Sequence, residues 1–248
     1  MDLGIVGKRA AVAAASSGLG LASAVALAEA GARVVICGRD EAKVHAAVAT
    51  IGHDAVGLVA DVGTASGGTA FVERAMAQLG GLDILVPNAG GPPGGGFTDT
   101  GLDAYLPAIE QNLLSTVAMC LAAVPAMRAQ RWGRVVAVTS VSVRQPIPGL
   151  ILSNTARAGV TGFLKTLALE VAGDGVTVNT VQPGSHDTDR LRSLHGGDAS
   201  RMAAGIPTGA LGRPADFGAV VAFLCSDQAR FITGASLPVD GGASRGLQ

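Results

Sequence analysis

Residues 10–40 read AAVAAASSGLGLASAVALAEAGARVVICGRD, and the reading of this stretch decides the fold. A short apolar run leads into Ser16-Ser17-Gly18-Leu19-Gly20, and an Ala-rich helical segment follows at once. Glycines at such a turn let backbone approach a pyrophosphate, while the helix start offers free N–H groups and the positive end of a dipole. A plain tight turn would need the same glycines; the strand before and the helix after are what point to a nucleotide. The second β-branched run ends at Gly38-Arg39-Asp40. About 20 residues past the turn, dinucleotide folds place an acid on the ribose 2′-hydroxyl. An arginine suits a 2′-phosphate instead, so Arg39 favours NADP over NAD. The alternative is a solvated Arg-Asp turn in which Asp40 caps the next helix.

The same alternation continues outward from this unit. Strands are expected at Arg9–Ala14, Arg33–Cys37, Ala55–Ala60, Asp83–Val86, Arg134–Thr139, Thr177–Val181 and Ser236–Val239. Such near-continuous apolar runs suit a parallel sheet covered on both faces. Helices are expected at 18–30, 40–51, 64–79, 101–128, 151–172 and 214–226, with Gly31, Gly52, Gly80 and Gly173 as stop signals. Together they imply a doubly wound α/β sheet with helices on both faces, built as a single domain over 1–248. The Gly/Pro run at 90–96 and the long irregular stretch 184–213 read as loops within it.

Composition narrows the function classes. The chain has 248 residues, 48% of them apolar, with 18 Lys and Arg against 19 Asp and Glu. No basic excess exists to hold a phosphate polymer or an anionic bilayer, so neither nucleic-acid nor membrane partners are expected. The uncharged stretch 10–28 is mostly Ala, Gly and Ser, and 111–127 carries Gln111, Asn112 and Pro125, a poor composition for a membrane span. Cys37, Cys120 and Cys225 match neither a disulfide framework nor a metal-ligand spacing, so a cytoplasmic setting without a metal is expected.

Further motifs lie at the ends of the later strands: Asp61-Val62, Asn88-Ala89-Gly90, Ser140, Pro183-Gly184 with Thr188, and Asp240-Gly241-Gly242, with Asn112 in the long helix. On these residues and Ser16–Gly20, the chain resembles the short-chain dehydrogenase/reductase family over essentially its full length. The resemblance implies a Rossmann-type sheet of seven strands in the order 3-2-1-4-5-6-7 and a nicotinamide dinucleotide site. It puts Asp61 and Val62 at the adenine, Asn88, Ala89 and Gly90 near the cofactor ribose, and Pro183, Gly184 and Thr188 at the nicotinamide end. It also implies a homodimer or homotetramer built on the helices 101–128 and 151–172, whose Ala118, Ala122, Ala156, Gly159 and Gly162 permit close packing. One departure is at the turn itself, where the family opens with Thr-Gly and this chain has Ala13-Ala14. A positive φ at Ala14 would cost free energy.

The larger departure is at the chemical end. The resemblance implies a serine that polarises a carbonyl, a tyrosine that transfers the proton, a lysine four residues on that lowers the tyrosine pKa and holds the ribose, and an asparagine relay. Ser140 and Asn112 match the serine and asparagine, but Ser153 stands at the tyrosine position and Arg157 at the lysine position. Serine is a weak acid beside a phenol, and arginine stays charged and cannot relay protons, though it can still hold ribose hydroxyls. The only tyrosine, Tyr105, has Leu102, Leu106 and Ile109 at helical spacing and reads as packing. His186 is a candidate acid because it follows the sixth strand, the alternative being a solvent-facing loop histidine beside the carboxylate of Asp187. His195 has a weaker case, and Ser142 and Arg144 are either cleft contacts or loop residues. Arg190, Arg192 and Arg201 would meet an anionic substrate or are ordinary surface charge.

The leading expectation is an NADP(H)-dependent oxidoreductase acting on a small-molecule carbonyl or alcohol through an atypical site. The catalytic set would be Ser140, Ser153, Arg157 and Asn112, with Arg157 also on the cofactor. A non-redox isomerase, lyase or cyclase on the same fold, and a catalytically inactive nucleotide-binding protein, are the alternatives.

Overall fold

A computed structural model of the chain describes residues 2–194 and 203–246, so His195 and Arg201 lie outside the described residues. Seven parallel strands form one sheet in the order β3-β2-β1-β4-β5-β6-β7. They are β1 (Arg9–Val12), β2 (Arg33–Gly38), β3 (Val56–Val59), β4 (Ile84–Val86), β5 (Gly133–Val138), β6 (Val176–Pro183) and β7 (Ser236–Val239). The helices are α1 (Gly18–Glu29), α2 (Glu41–Ile51), α3 (Ala65–Leu79), α4 (Tyr105–Ile109), α5 (Ser115–Ala129), α6 (Ile151–Val171), α7 (Asp189–Leu194) and α8 (Pro214–Leu224).

Both sheet faces are covered, which is why the strands carry little polarity. On one face Phe71, Met119, Met127 and Leu164 pack α3, α5 and α6 against Val35, Leu85 and Val135. On the other, Leu27, Phe217 and Leu224 pack α1 and α8 against Ile36, Ile84 and Val136. Phe71 and Phe217 are fully buried, and truncating either to alanine would cost about 3–5 kcal/mol. At the base of the sheet Arg9 and Asp83 join β1 to the start of β4 through a 2.7 Å ion pair, which Gln130 also contacts. The Arg9 hydrogen bonds hold the Asp83 carboxyl below its ordinary range against the opposing effect of burial.

Four features differ from the sequence expectation. The helix expected over 101–128 runs continuously over Leu102–Ala129 but widens to a π-helical turn at Glu110–Leu114 between α4 and α5. Pro107 is tolerated in the first turn of α4, where its missing N–H has no intrahelical partner to lose. The whole stretch Leu102–Ala129 is long and apolar enough to cross a membrane by length and composition, yet half of its apolar window is buried within the fold. Gly173 does not end α6 in a left-handed turn; Gly175, at φ +76°, does. Part of the irregular 184–213 region forms α7.

The fourth difference decides the shape of the site. β1 stops at Val12, short of the expected Ala14, because Ala14 takes φ +46° and turns the chain. Four contacts hold it there: Ala13 N–H donates to Val86 O, Ala14 N–H to the Cys37 sulfur, and Asn88 Nδ2 to the carbonyls of Ala13 and Ala14. A left-handed conformation costs an L-residue about 1–2 kcal/mol, so these neighbours over-determine a strained position.

His186 corrects another expectation, since it is no solvent-facing loop residue. It is 4% exposed, edge-on to Phe217 with ring centroids 5.3 Å apart, and its Nδ1 lies 3.1 Å from Gly184 O. A carbonyl only accepts, so Nδ1 carries a proton and donates this bond. Backbone bonds between Ser185, Asp187 and Gly212 fasten the segment. Burial holds the His186 pKa below its ordinary value, opposed by the Gly184 bond and the carboxylates of Asp216 and Asp240.

Two outcomes follow. Ala14→Gly is expected to raise stability by about 0.5–1 kcal/mol, the relieved strain exceeding the entropy that glycine adds to the unfolded chain. Urea unfolding would show it as a higher midpoint, and a lower midpoint would contradict the strain. For His186, a depressed native pKa means that the unfolded chain takes the proton first. Stability is therefore full above the ordinary histidine pKa of about 6.5 and falls as pH drops through it towards the native value. Thermal unfolding between about pH 8 and about pH 5 should lose stability more steeply in the wild type than in His186→Leu; parallel profiles would contradict it.

Candidate active site

A cleft of about 730 Å³ runs along the carboxyl ends of β1, β2, β4, β5 and β6. This is where ligands of open α/β sheets bind, at the point where strand order reverses. Every residue expected to bind cofactor lines it: Ser16, Ser17, Gly18, Leu19, Gly20, Arg39, Asp61, Val62, Asn88, Ala89, Gly90, Arg157, Pro183, Gly184 and Thr188.

At one end the backbone makes the surface. Gly18 has φ +58°, and Thr188 approaches it from across the cleft. A side chain at Gly20 would meet the Ala14 carbonyl at 2.7 Å, so glycine there lets α1 sit tight against the strained turn. Ser17 makes no side-chain cap and the first turn of α1 has no acid, which leaves its N–H groups and dipole open to an anion. Gly38 makes room for the Ser16 side chain. Asp40 caps α2 by accepting from Lys43 N–H, while Arg39 pairs with no carboxylate among the described residues. Asp61 turns its carboxylate onto Gly63 N–H and remains exposed at the mouth. These features fit a dinucleotide with an additional phosphate.

At the other end Ser140, Ser153 and Arg157 share the wall. Ser140 caps a short turn, its Oγ accepting from Ser142 N–H at 3.1 Å. Ser153 and Arg157 lie one turn apart on α6. Arg157 donates through Nη1 to the carbonyls of Val138 and Thr139 at the end of β5. Burial and then the like charge of Arg190 push its pKa down to about 10, which leaves it charged at neutral pH. Asn112 does not line the cleft; its neighbour Gln111 does. The Asn112 amide is buried in the π-helical segment, with neither Oδ1 nor Nδ2 partnered. Tyr105 is partly buried at the start of α4 and also does not line the cleft.

Other residues are sorted by their contacts. Arg144 does not line the cleft; it stays exposed, as the loop-charge reading expects, and also binds Gln182 Oε1 and Ser236 O. Ser142 is buried with an unpartnered hydroxyl. Asp187 is held by Arg192, which removes both from the cleft's charge balance. His186 lines the cleft, but its protonated Nδ1 is bonded to Gly184 O. Sequence reasoning missed Gln111 as a wall residue; only its adjacency to Asn112 hinted at it.

Comparison with known proteins matches this geometry. A family profile described as enoyl-(acyl carrier protein) reductase covers residues 13–244. The 3-oxoacyl-(acyl-carrier-protein) reductase FabG of Vibrio cholerae is 36% identical over 240 residues, spanning 97% of this chain and 98% of the relative. Human dehydrogenase/reductase SDR family member 4 is 34% identical, with 96% and 88% covered. L-sorbose reductase of Gluconobacter frateurii, solved with NADPH and L-sorbose, superposes with a TM-score of 0.93 at 31% identity over 100% of both chains. With the strand order, the cleft and these relatives in agreement, the chain belongs to the short-chain dehydrogenase/reductase family.

Proposed function

We propose that this chain is an NADP(H)-dependent oxidoreductase that interconverts a small-molecule carbonyl and its alcohol through an atypical active site. The observation that carries the cofactor reading is Arg39, a guanidinium without a carboxylate partner at the end of β2, where a 2′-phosphate would lie. The sorbose reductase relative, solved with NADPH, supports the same cofactor. Gly18–Gly20 and the open start of α1 would hold the pyrophosphate, Asp61 and Val62 the adenine, Asn88–Gly90 the ribose, and Pro183, Gly184 and Thr188 the nicotinamide end.

When bound, the reduced nicotinamide supplies hydride to a carbonyl carbon, and the oxygen takes up a proton. Ser140 Oγ, held by Ser142 N–H, would donate to that oxygen. Arg157 would hold ribose hydroxyls and lend positive potential to the developing alkoxide, but its pKa of about 10 keeps it from relaying protons at neutral pH. Ser153 would hold the water or hydroxyl through which the proton arrives. The unpartnered Asn112 amide suits a buried water in the same relay. Losing a positioned general acid costs about 10²–10⁴-fold, less than holding hydride donor and acceptor together contributes. The missing phenol thus slows the reaction without removing it. The same substitution favours a second reading, a non-redox enzyme or an inactive nucleotide-binding protein on this fold.

We further propose one domain over 1–248, a cytoplasmic location suited to three buried free cysteines, and a homodimer or homotetramer. Leu121 on α5 and Leu169 on α6 are exposed and would meet a second copy. Gly159 instead packs inside the chain against Leu113, while a side chain at Gly162 would meet open space.

NADPH is expected to bind at least about tenfold more tightly than NADH, and Arg39→Ala to erase most of that margin. Fluorescence titration decides; equal affinities in the wild type would contradict the role of Arg39. Ser140→Ala is expected to lower kcat/KM for a carbonyl substrate by about 10²–10³-fold with NADPH affinity retained. Unchanged turnover would contradict the site.

A further inference from the structure

The cleft extends past the reacting serines, away from the cofactor. Leu150, Ser153 and Arg157 fall at i, i+3 and i+7 along the start of α6, on one face, and all three line the cleft. Seven residues of helix span about 10 Å. On the proposed cofactor placement Arg157 lies at the ribose, so Ser153 is the middle of this row and Leu150 its far end. The loop after β4 runs in the same direction. A side chain at Gly90 would meet the Gln111 amide, and one at Gly91 the Arg190 guanidinium. One at Gly94 would touch Gly149 O at 3.4 Å and Leu150 Cδ2 at 4.0 Å. Both walls therefore lead outward from the ribose region and meet at Leu150.

Backbone closes that far end. Gly95 N–H donates to Gly149 O at 2.7 Å and Ile151 N–H to Gly95 O at 3.2 Å, which joins the two loops in a short parallel bridge. Asn154 fastens the second loop with both arms of its amide, Nδ2 donating to Ile147 O and Oδ1 accepting from Ile147 N–H. These polar groups are satisfied by one another. Among the described residues, the stretches 91–100 and 141–152 bring only Gly91, Pro92 and Leu150 to the cleft wall, and Pro92 is buried. The cation of Arg190 lies 3.5 Å from Gly91 O, three residues nearer the ribose region than Gly94 along this loop. A charged substituent at the Leu150 end would lose its water without gaining a partner, whereas an apolar one is stabilised by leaving water.

We propose that Leu150 and Pro92 form a substrate subsite on the far side of Ser153 from the cofactor, and that it takes an uncharged, apolar substituent of the carbonyl substrate, such as an aryl ring. This deepens the oxidoreductase reading and rests on it. Leu150 is only partly buried and precedes α6, so replacing it leaves the core intact. The test is titration of the NADP⁺-saturated protein with 4-nitroacetophenone and with 4-acetylbenzoate, followed by NMR of the ketone. The two ketones share a shape and differ in charge, and oxidised cofactor reduces neither, so binding alone is read. The wild type should bind the nitro ketone at least about tenfold more tightly than the benzoate. Leu150→Ala should weaken the nitro ketone by about five- to tenfold, and Leu150→Arg should remove the preference, with NADP⁺ affinity kept within about twofold in both. A wild type that binds NADP⁺ but neither ketone, or the benzoate as tightly as the nitro ketone, removes this proposal alone. So does a Leu150→Ala variant with undiminished ketone affinity. Loss of NADP⁺ affinity in Leu150→Arg with thermal unfolding unchanged also overturns it, because Leu150 would then belong with the cofactor. A wild type that binds no NADP⁺ removes the cofactor reading and this proposal with it.

Discussion

The site depends on one strained turn. Ala14 leaves β1 in a left-handed conformation, held by the Cys37 sulfur, by Val86 through Ala13, and by the Asn88 amide. That turn aims the chain upward so that Gly18 and Gly20 can bring the start of α1 over the end of the sheet. Asn88 belongs at once to the loop after β4 and to this turn, so the glycine turn and that loop share a hydrogen-bonded anchor. Strain held by its neighbours at a ligand-binding turn is a common way to pre-organise backbone donors.

The rest of the cleft follows from a parallel sheet covered on both faces. Strand ends point the same way, so Gly38, Asn88, Ser140 and Gly184 converge although they are far apart in the chain. The chemical end then sets a family scaffold against a changed pair of residues. Arg157, at the position where the family resemblance implies a lysine, is a fixed charge tied to the carbonyls of Val138 and Thr139. On the proposed reading such a site would favour electrostatic stabilisation of an oxyanion over proton relay through a phenol.

Much of this was legible in the sequence. The strands and the glycine turn came from apolar periodicity and local residue types, signals that each depend on a few adjacent positions, while the strand order came only with the family resemblance. What was not legible depends on contacts between distant residues. The sign of φ at Ala14 is set by Cys37 and Asn88, and the burial of His186 by Phe217 and Gly212. The partners of the exposed Arg144, Gln182 and Ser236, are over 35 residues away and had no local signal. The π-helical turn at Glu110–Leu114 within the long helix had no local signal. Arg190 looked like one of several surface arginines until its path over Gly91 and its lack of a carboxylate set it apart from Arg192.

The central claim is that this cleft transfers hydride despite the missing phenol. Turnover of a carbonyl panel with NADPH deuterated at the transferring position, read by mass spectrometry, tests it most directly. One deuterium at the carbinol carbon for each NADP⁺ formed is the expected result. Product that forms without deuterium, or without consumption of NADPH, would contradict it.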